Sequence, residues 1–263
     1  MLRDSETFVV TKELLNPVGT LAAPRMLAAA RRVGLAALSE EEQESALLAS
    51  YSAEFKEGAR EGEEVRVSIE PTPVQWEGDR AFTILFSKAA DTSGRVGKWS
   101  MAFTKRKNVR PVPYNIDHAI AGGLTNQELW QSGAIIATGD EHRDAQLLLW
   151  PIGQSARAYM KRLDQEFCST SGVAALDDIE QRIYAGVAVT TTMLTWPAKE
   201  TQLLCALHPQ RPLAEQPRGK RLEFHGVLVG QSDGETSLLG TCRFTVSRLN
   251  GRKVPIYADG SGR

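Results

Sequence analysis

The sequence predicts an α+β protein whose strands pair antiparallel. Stretches with alternating apolar and polar residues lie on both sides of a central stretch with helical periodicity. The 263 residues are 42% hydrophobic and 24% charged, a composition typical of globular domains that excludes a disordered or fibrous class. We therefore expect an N-terminal β-rich part, 1–114, a helical insertion, 115–182, and a C-terminal β-rich part, 183–263.

The first part begins with a predicted strand and two predicted helices. Residues 8–15 are β-prone, and the sequence Asn-Pro-Val-Gly then ends the strand. Residues 24–38 are rich in alanine and leucine with a proline in the first turn, which predicts a helix with arginines toward an edge or solvent, namely Arg25, Arg31 and Arg32. Ser39 and Glu42 are spaced as a capping box, which predicts a second helix to about Lys56.

The remaining strands follow from alternation and from β-branched residues between glycines and prolines. We predict strands over 64–69, 81–87, 98–104, 186–196 and 201–208. Residues 222–229 and 238–248 flank a loop that contains Gly230, Asp233 and Gly234, which predicts a hairpin with a glycine-loosened tip. Basic residues follow this loop, so the hairpin is either an ordinary one with a solvated edge or a surface that binds an anion.

Charge is unevenly distributed along a chain whose net charge is −1. Residues 40–64 contain nine acidic and two basic side chains, whereas residues 211–263 contain nine basic and five acidic ones. Such separation suits a protein that binds a polyanion on one face.

Several common site types are absent from the sequence. It has no P-loop, no strand-linked G-x-G-x-x-G, no G-x-S-x-G and no EF-hand loop. Its cysteines and histidines are scattered, so we expect buried thiols and neither a metal site nor a cofactor. No secretory pattern or apolar run of about 20 residues is present, which predicts a cytoplasmic protein without membrane contact.

With these site types excluded, the remaining possibility is that arginine side chains act on a polyanion. RNA carries its own nucleophile in the 2′-hydroxyl, so a protein that aligns the backbone and stabilises charge can cleave it without a metal. The candidate catalytic residues are arginines of the first helix and of the C-terminal hairpin, namely Arg25, Arg32 and Arg243. His225 and Tyr51 are candidate proton carriers.

The order of these parts resembles the CRISPR repeat-RNA endonucleases of the repeat-associated mysterious protein superfamily. The resemblance rests on a strand followed by an arginine-bearing helix, and on the late glycine-containing loop GQSDGETSLLGTCRF. It is greatest to the type IV branch, in which a helical finger contacts the repeat hairpin. The resemblance implies two ferredoxin-like halves, related to RNA-recognition motifs, with antiparallel sheets and a helical insertion. It also implies that Arg25, in the first helix, and Arg243, just after the glycine loop, occupy positions that match those of the family.

The same resemblance implies an endoribonuclease of antiviral defence. It would cleave repeat RNA by 2′-hydroxyl attack, leave a 2′,3′-cyclic phosphate, and stay with the hairpin and guide RNA in a CRISPR effector complex. Basic clusters supply the expected RNA contacts, namely Lys105, Arg106, Lys107, Arg110, Arg157, Lys161, Arg162, Arg248, Arg252 and Lys253. Two alternatives stay open: a non-catalytic RNA-binding subunit of a ribonucleoprotein, and a structural protein of a mobile element.

Overall fold

A computed structural model describes most of the chain, in two compact units. The described residues are 3–16, 19–74, 79–105, 112–113, 135–139, 144, 147, 149, 152–153, 183–209 and 221–249. Unit 1 comprises Met1–Val109, Thr190–Met193 and Val254–Arg263, and unit 2 comprises Arg110–Val189 and Leu194–Lys253. The predicted division into 1–114, 115–182 and 183–263 stays a prediction, because most of 115–182 lies outside the described residues.

Unit 1 is an antiparallel sheet formed around one long helix. Its elements in chain order are β1 (Arg3–Val9), a 3-10 turn (Lys12–Leu14), α1 (Ala23–Ala36), α2 (Glu40–Ser45), β2 (Ala46–Phe55), β3 (Glu64–Thr72), β4 (Arg80–Lys88) and β5 (Asp91–Lys105). The strand order is β1-β3-β4-β5-β2, and each neighbouring pair is antiparallel. The predicted strands over 64–69, 81–87 and 98–104 are confirmed, because short turns let consecutive alternating segments pair.

Helix α1 forms the core of unit 1, and its prediction is confirmed within two residues at each end. The residues that recur every three or four positions are buried, among them Met26, Leu27, Ala30 and Val33. Arg31 is also buried, with 3% exposure, so its predicted place at an edge or in solvent is wrong. No helix in the described part of the chain is long and apolar enough to cross a membrane.

The second predicted helix ends much earlier than expected. Its capping box is confirmed, but α2 stops at Ser45, and residues 46–55 form β2 instead of continuing the helix. Along this strand buried and less buried residues alternate, and the strand pairs with β5 from Ala46↔Lys105 to Phe55↔Gly97. Pairing with a central strand therefore overrides the helical propensity of alanine and leucine in this segment.

The capping box supports a specific stability prediction. The Ser39 Oγ accepts from the Glu42 N–H at 3.3 Å, and a Glu42 carboxylate oxygen accepts from the Ser39 N–H at 3.1 Å. We expect Ser39→Ala to lower the free energy of unfolding by about 1 kcal/mol, measured by urea titration. Ser45→Ala, at the other end of the same short helix, is the control and should change it little. Equal losses in both variants would contradict a role for the cap.

Unit 2 repeats the strand order of unit 1. Its strands are β6 (Val112–Pro113), β7 (Ile135–Ile136), β8 (Ile183–Met193), β9 (Gln202–Pro209), β10 (Arg221–Ser232) and β11 (Glu235–Leu249); the last four residues of β8 belong to unit 1. The order is β7-β9-β10-β11-β8, with β6 also paired to β11. When the two-residue β6 is left out of the numbering, the first, third, fourth, fifth and second strands are neighbours in this order in both units. The topology is therefore duplicated, although the sequence shows no repeat of fixed period.

The predicted C-terminal hairpin is confirmed as β10 and β11. They pair from Arg221↔Ser247 to Ser232↔Glu235. At the tip Asp233 and Gly234 both have positive φ, 51° and 79°, which is the conformation that a two-residue hairpin turn requires.

The prediction of two ferredoxin-like halves is wrong. A ferredoxin-like half has the order βαββαβ, with a second long helix crossing between its later strands. In unit 1, β2 to β5 follow one another without such a helix among the described residues, and the sheet encloses α1. The helix-to-strand change at Ala46 accounts for the error, because it adds a strand where the sequence predicted the end of a long helix.

Candidate functional site

The first feature that could take part in a chemical reaction is a buried carboxylate in unit 2. Asp144 is 1% exposed and is the one buried carboxylate among the described residues. It has helical conformation and follows β7 in the chain. Its Oδ1 accepts from the Thr138 N–H at 2.7 Å and from the Thr138 Oγ1 at 2.8 Å, and its Oδ2 accepts from the Gly139 N–H at 3.0 Å. These donors offset the cost of burying the charge.

The turn that supplies these donors is fixed by the neighbouring strand. The Ala137 N–H donates to the Thr201 carbonyl, and the Glu200 N–H donates to the Ala137 carbonyl, both at 2.8 Å. Gly139 has a φ of +77°, and a Cβ on it would lie 3.0 Å from the Lys199 Cβ. Glycine is therefore required both by the backbone conformation and by the close approach of Lys199.

Asp144 was not among the site residues predicted from the sequence. No short motif marks it, because Asp140 and Glu141 follow the Thr138-Gly139 pair more directly than Asp144 does. What the sequence could not show is burial, and burial distinguishes this carboxylate from exposed ones.

A groove in unit 1 is the second feature. It has a volume of about 200 Å³ and is lined mainly by hydroxyl and small apolar side chains, namely Ser50, Tyr51, Ser52, Thr72, Ala81, Phe82, Ser100, Met101, Ala102, Thr190 and Thr192. In the register, Ser50 is opposite Ala102, and Ser52 is opposite Ser100. None of these side chains is a carboxylate, a histidine or a cysteine. The groove can therefore contact a ligand, but its lining offers no strong acid or base at neutral pH.

The three predicted catalytic arginines lie on exposed surfaces. Arg25 and Arg32 are exposed on α1, and Arg32 forms an ion pair with Glu6 at 2.7 Å. Arg243 belongs to β11 in unit 2, and its Nε lies 3.3 Å from a Glu223 carboxylate oxygen. Arg32 and Arg243 thus each lie beside a carboxylate in an exposed ion pair, an interaction of little energetic weight. Their catalytic roles stay predictions.

The other predicted residues fall into two groups. Of the expected RNA contacts, Lys105 is exposed at the end of β5 and Arg248 lies in β11; the rest lie outside the described residues. Of the expected proton carriers, Tyr51 is buried and lines the groove of unit 1. His225 is exposed on β10, with its Nε2 3.9 Å from a Glu223 carboxylate oxygen.

Two cysteines meet in the core of unit 2. The Cys205 and Cys242 sulfurs are 3.6 Å apart and both residues are buried, which confirms the prediction of buried thiols for this pair. Burial raises the pKa of the Cys205 thiol well above its usual value, so Cys205 stays protonated. Both buried side chains pack as small apolar groups. Among the described residues, no group of three or more His, Cys, Asp and Glu side chains could hold a metal ion.

Solved structures with a similar fold are thioesterases, while no family model and no curated protein matches the sequence. A 12:0-ACP thioesterase from Umbellularia californica is 10% identical, covers 94% of each chain and has a TM-score of 0.58. An acyl-CoA thioesterase II from Mycobacterium marinum is 11% identical, covers 100% of this chain and 97% of its own, and has a TM-score of 0.53. An acyl-ACP thioesterase from Bacteroides thetaiotaomicron is 12% identical, covers 94% and 98%, and has a TM-score of 0.50.

The predicted resemblance to CRISPR repeat-RNA endonucleases is therefore wrong. Repeat-RNA cleavage, RNA binding, and RNA and effector-complex subunits as partners were inferred from that resemblance, and they are overturned with it. The physical reason lies in topology, because the same alternation of strands and helices can be folded with different strand orders. The chain shares with these thioesterases the hotdog fold, in which an antiparallel sheet wraps around a central helix.

Proposed function

We propose that this protein hydrolyses the thioester of an acyl group carried on coenzyme A or on acyl carrier protein. The observation that carries the proposal is the likeness in fold to thioesterases along nearly the whole length of both chains. Two features of the chain are compatible with it: a buried carboxylate, Asp144, and a groove that could contact a ligand. We also propose a cytoplasmic location, where these carriers are found; fractionation of expressing cells tests it, and recovery outside the cytoplasmic fraction would contradict it.

Asp144 is the candidate general base. Hydrolysis requires that a water molecule lose a proton as its oxygen attacks the thioester carbonyl carbon, and a positioned carboxylate can take that proton. The carbon–sulfur bond then breaks, and the leaving thiolate takes the proton back to become a free thiol. Water is the one co-reactant, so acid and thiol are formed in equal amounts.

A survey of thioesters tests the proposal. Purified protein is incubated with CoA thioesters of short, medium and long acyl chains, and separately with the same acyl groups on acyl carrier protein, while thiol release is followed. We expect one carrier and one range of chain lengths to give a kcat/KM of at least about 10⁴ M⁻¹s⁻¹. Matching oxygen esters serve as controls for unspecific esterase activity. Thiol release no faster than in buffer, with every thioester of both carriers, would overturn the proposal.

A further inference from the structure

The two oxygens of the Asp144 carboxylate differ in how many donors they face. A carboxylate oxygen has room for about two hydrogen bonds. Oδ1 accepts two, from the N–H and the Oγ1 of Thr138, whereas Oδ2 accepts one, from the Gly139 N–H. Among the described residues, Oδ1 is therefore filled and Oδ2 keeps one acceptor position.

We infer that Thr138 is a positioning residue, which fixes the carboxylate so that Oδ2 is the oxygen that receives the proton from water. This inference rests on the proposed thioester hydrolysis and adds to it the identity of the working atom. The proton moves from water to Oδ2 as the water oxygen bonds to the carbonyl carbon, and it leaves Oδ2 for the thiolate when the carbon–sulfur bond breaks.

The surrounding structure keeps the carboxylate from rotating. Rotation of the carboxylate out of this orientation would pull it away from the two Thr138 donors, and an unsatisfied buried donor costs about 1–3 kcal/mol. The turn cannot follow such a rotation, since Ala137 is bonded on both sides, to Glu200 and Thr201. Thr138 itself is β-branched and therefore stiff at χ1.

Two substitutions of Thr138 test the positioning role through activity. Thr138→Val keeps the shape and removes the hydroxyl donor, and Thr138→Ser keeps the donor. We expect valine to lower kcat by up to about 100-fold with little change in KM, because the carboxylate is misplaced while substrate binding is retained. Serine should restore most of kcat. The role of the hydroxyl would be overturned if the valine variant had the same kcat as the wild type. It would also be overturned if the serine variant lost as much kcat as the valine variant.

A second measurement tests the assignment of the oxygens without any substrate. In Asp144→Asn the amide oxygen should take the Oδ1 place, where two donors point, so the amide nitrogen would face the Gly139 N–H. Hydrogen exchange followed by NMR should then show a protected Thr138 amide and a Gly139 amide that exchanges about tenfold faster or more than in the wild type. Loss of protection at Thr138 with protection kept at Gly139 would overturn the assignment.

The two measurements separate failure of the inference from failure of the proposed function. If the wild type hydrolyses thioesters but the Thr138 variants or the exchange pattern disagree, the positioning inference is wrong and the proposed function stands. If no thioester is hydrolysed, the proposed function fails and the proton-transfer role of Oδ2 fails with it.

Discussion

Asp144→Asn is expected to lower kcat for the preferred thioester by about 100-fold to 10,000-fold, the range that general base catalysis contributes. An amide has nearly the shape of the carboxylate and keeps one oxygen for the Thr138 donors, but it cannot take a proton from water at neutral pH. Steady-state kinetics across substrate concentrations measure the effect. Thermal unfolding by circular dichroism checks that the variant is folded, because Asp144 also accepts hydrogen bonds from the turn at Thr138 and Gly139.

Asp233→Asn is the matched control for this prediction. The same chemical change is made at the exposed tip of the β10–β11 hairpin, where φ is 51° and asparagine is well tolerated. We expect kcat within about twofold of the wild type. A folded Asp144→Asn variant with the activity of the Asp233→Asn control would remove Asp144 from the mechanism, although thioester hydrolysis itself would still stand.

Gly226→Val is expected to give the largest loss of stability. A Cβ at this position would lie 2.5 Å from the Leu207 Cδ2, 2.7 Å from the Ala206 carbonyl oxygen and 3.0 Å from the Cys242 sulfur. The carbonyl oxygen belongs to a paired strand and cannot move aside, and valine adds two further methyl groups. We expect the free energy of unfolding to fall by about 3 kcal/mol, measured by urea titration, or the protein to be recovered in aggregated form.

Gly153→Ala is the control for this substitution. Gly153 has helical conformation, and a Cβ on it would meet no atom of the described residues within 4 Å. Alanine is also the better helix former, by about 1 kcal/mol. We therefore expect unchanged or slightly raised stability in this variant. Tolerance of valine at position 226 would show that β9 and β10 are not packed as closely as the structure has them.

Local features were predictable from the sequence because their causes are local. The proline-initiated helix α1, the capping box at Ser39 and the hairpin turn at Asp233 each depend on a few adjacent residues. The strand β2 was not predictable in this way. Its alanines and leucines favour a helix, and its strand conformation comes from pairing with β5, more than 40 residues further along the chain.

The candidate site, like the fold as a whole, was not predicted from the sequence. Arginines drew attention because they are charged and clustered in sequence, yet Arg32 and Arg243 are exposed and bonded to carboxylates. Asp144 stands out for another reason. It is buried, and it accepts hydrogen bonds from a turn several residues earlier in the chain. Neither property is encoded in a short motif, so the sequence alone gave no reason to separate Asp144 from the acidic residues beside it.

The duplicated strand order allows the two halves of the chain to diverge in chemistry without losing the framework. Each unit has a polar side chain that is hydrogen-bonded to a threonine in the segment after its edge strand, which is β1 in unit 1 and β7 in unit 2. In unit 1 the neutral amide of Asn16 bonds with Thr20, and in unit 2 the acid Asp144 bonds with Thr138. An amide can hold a turn closed, but a carboxylate can also exchange protons. The same strand order therefore accommodates a neutral group at this place in one unit and an acidic group in the other.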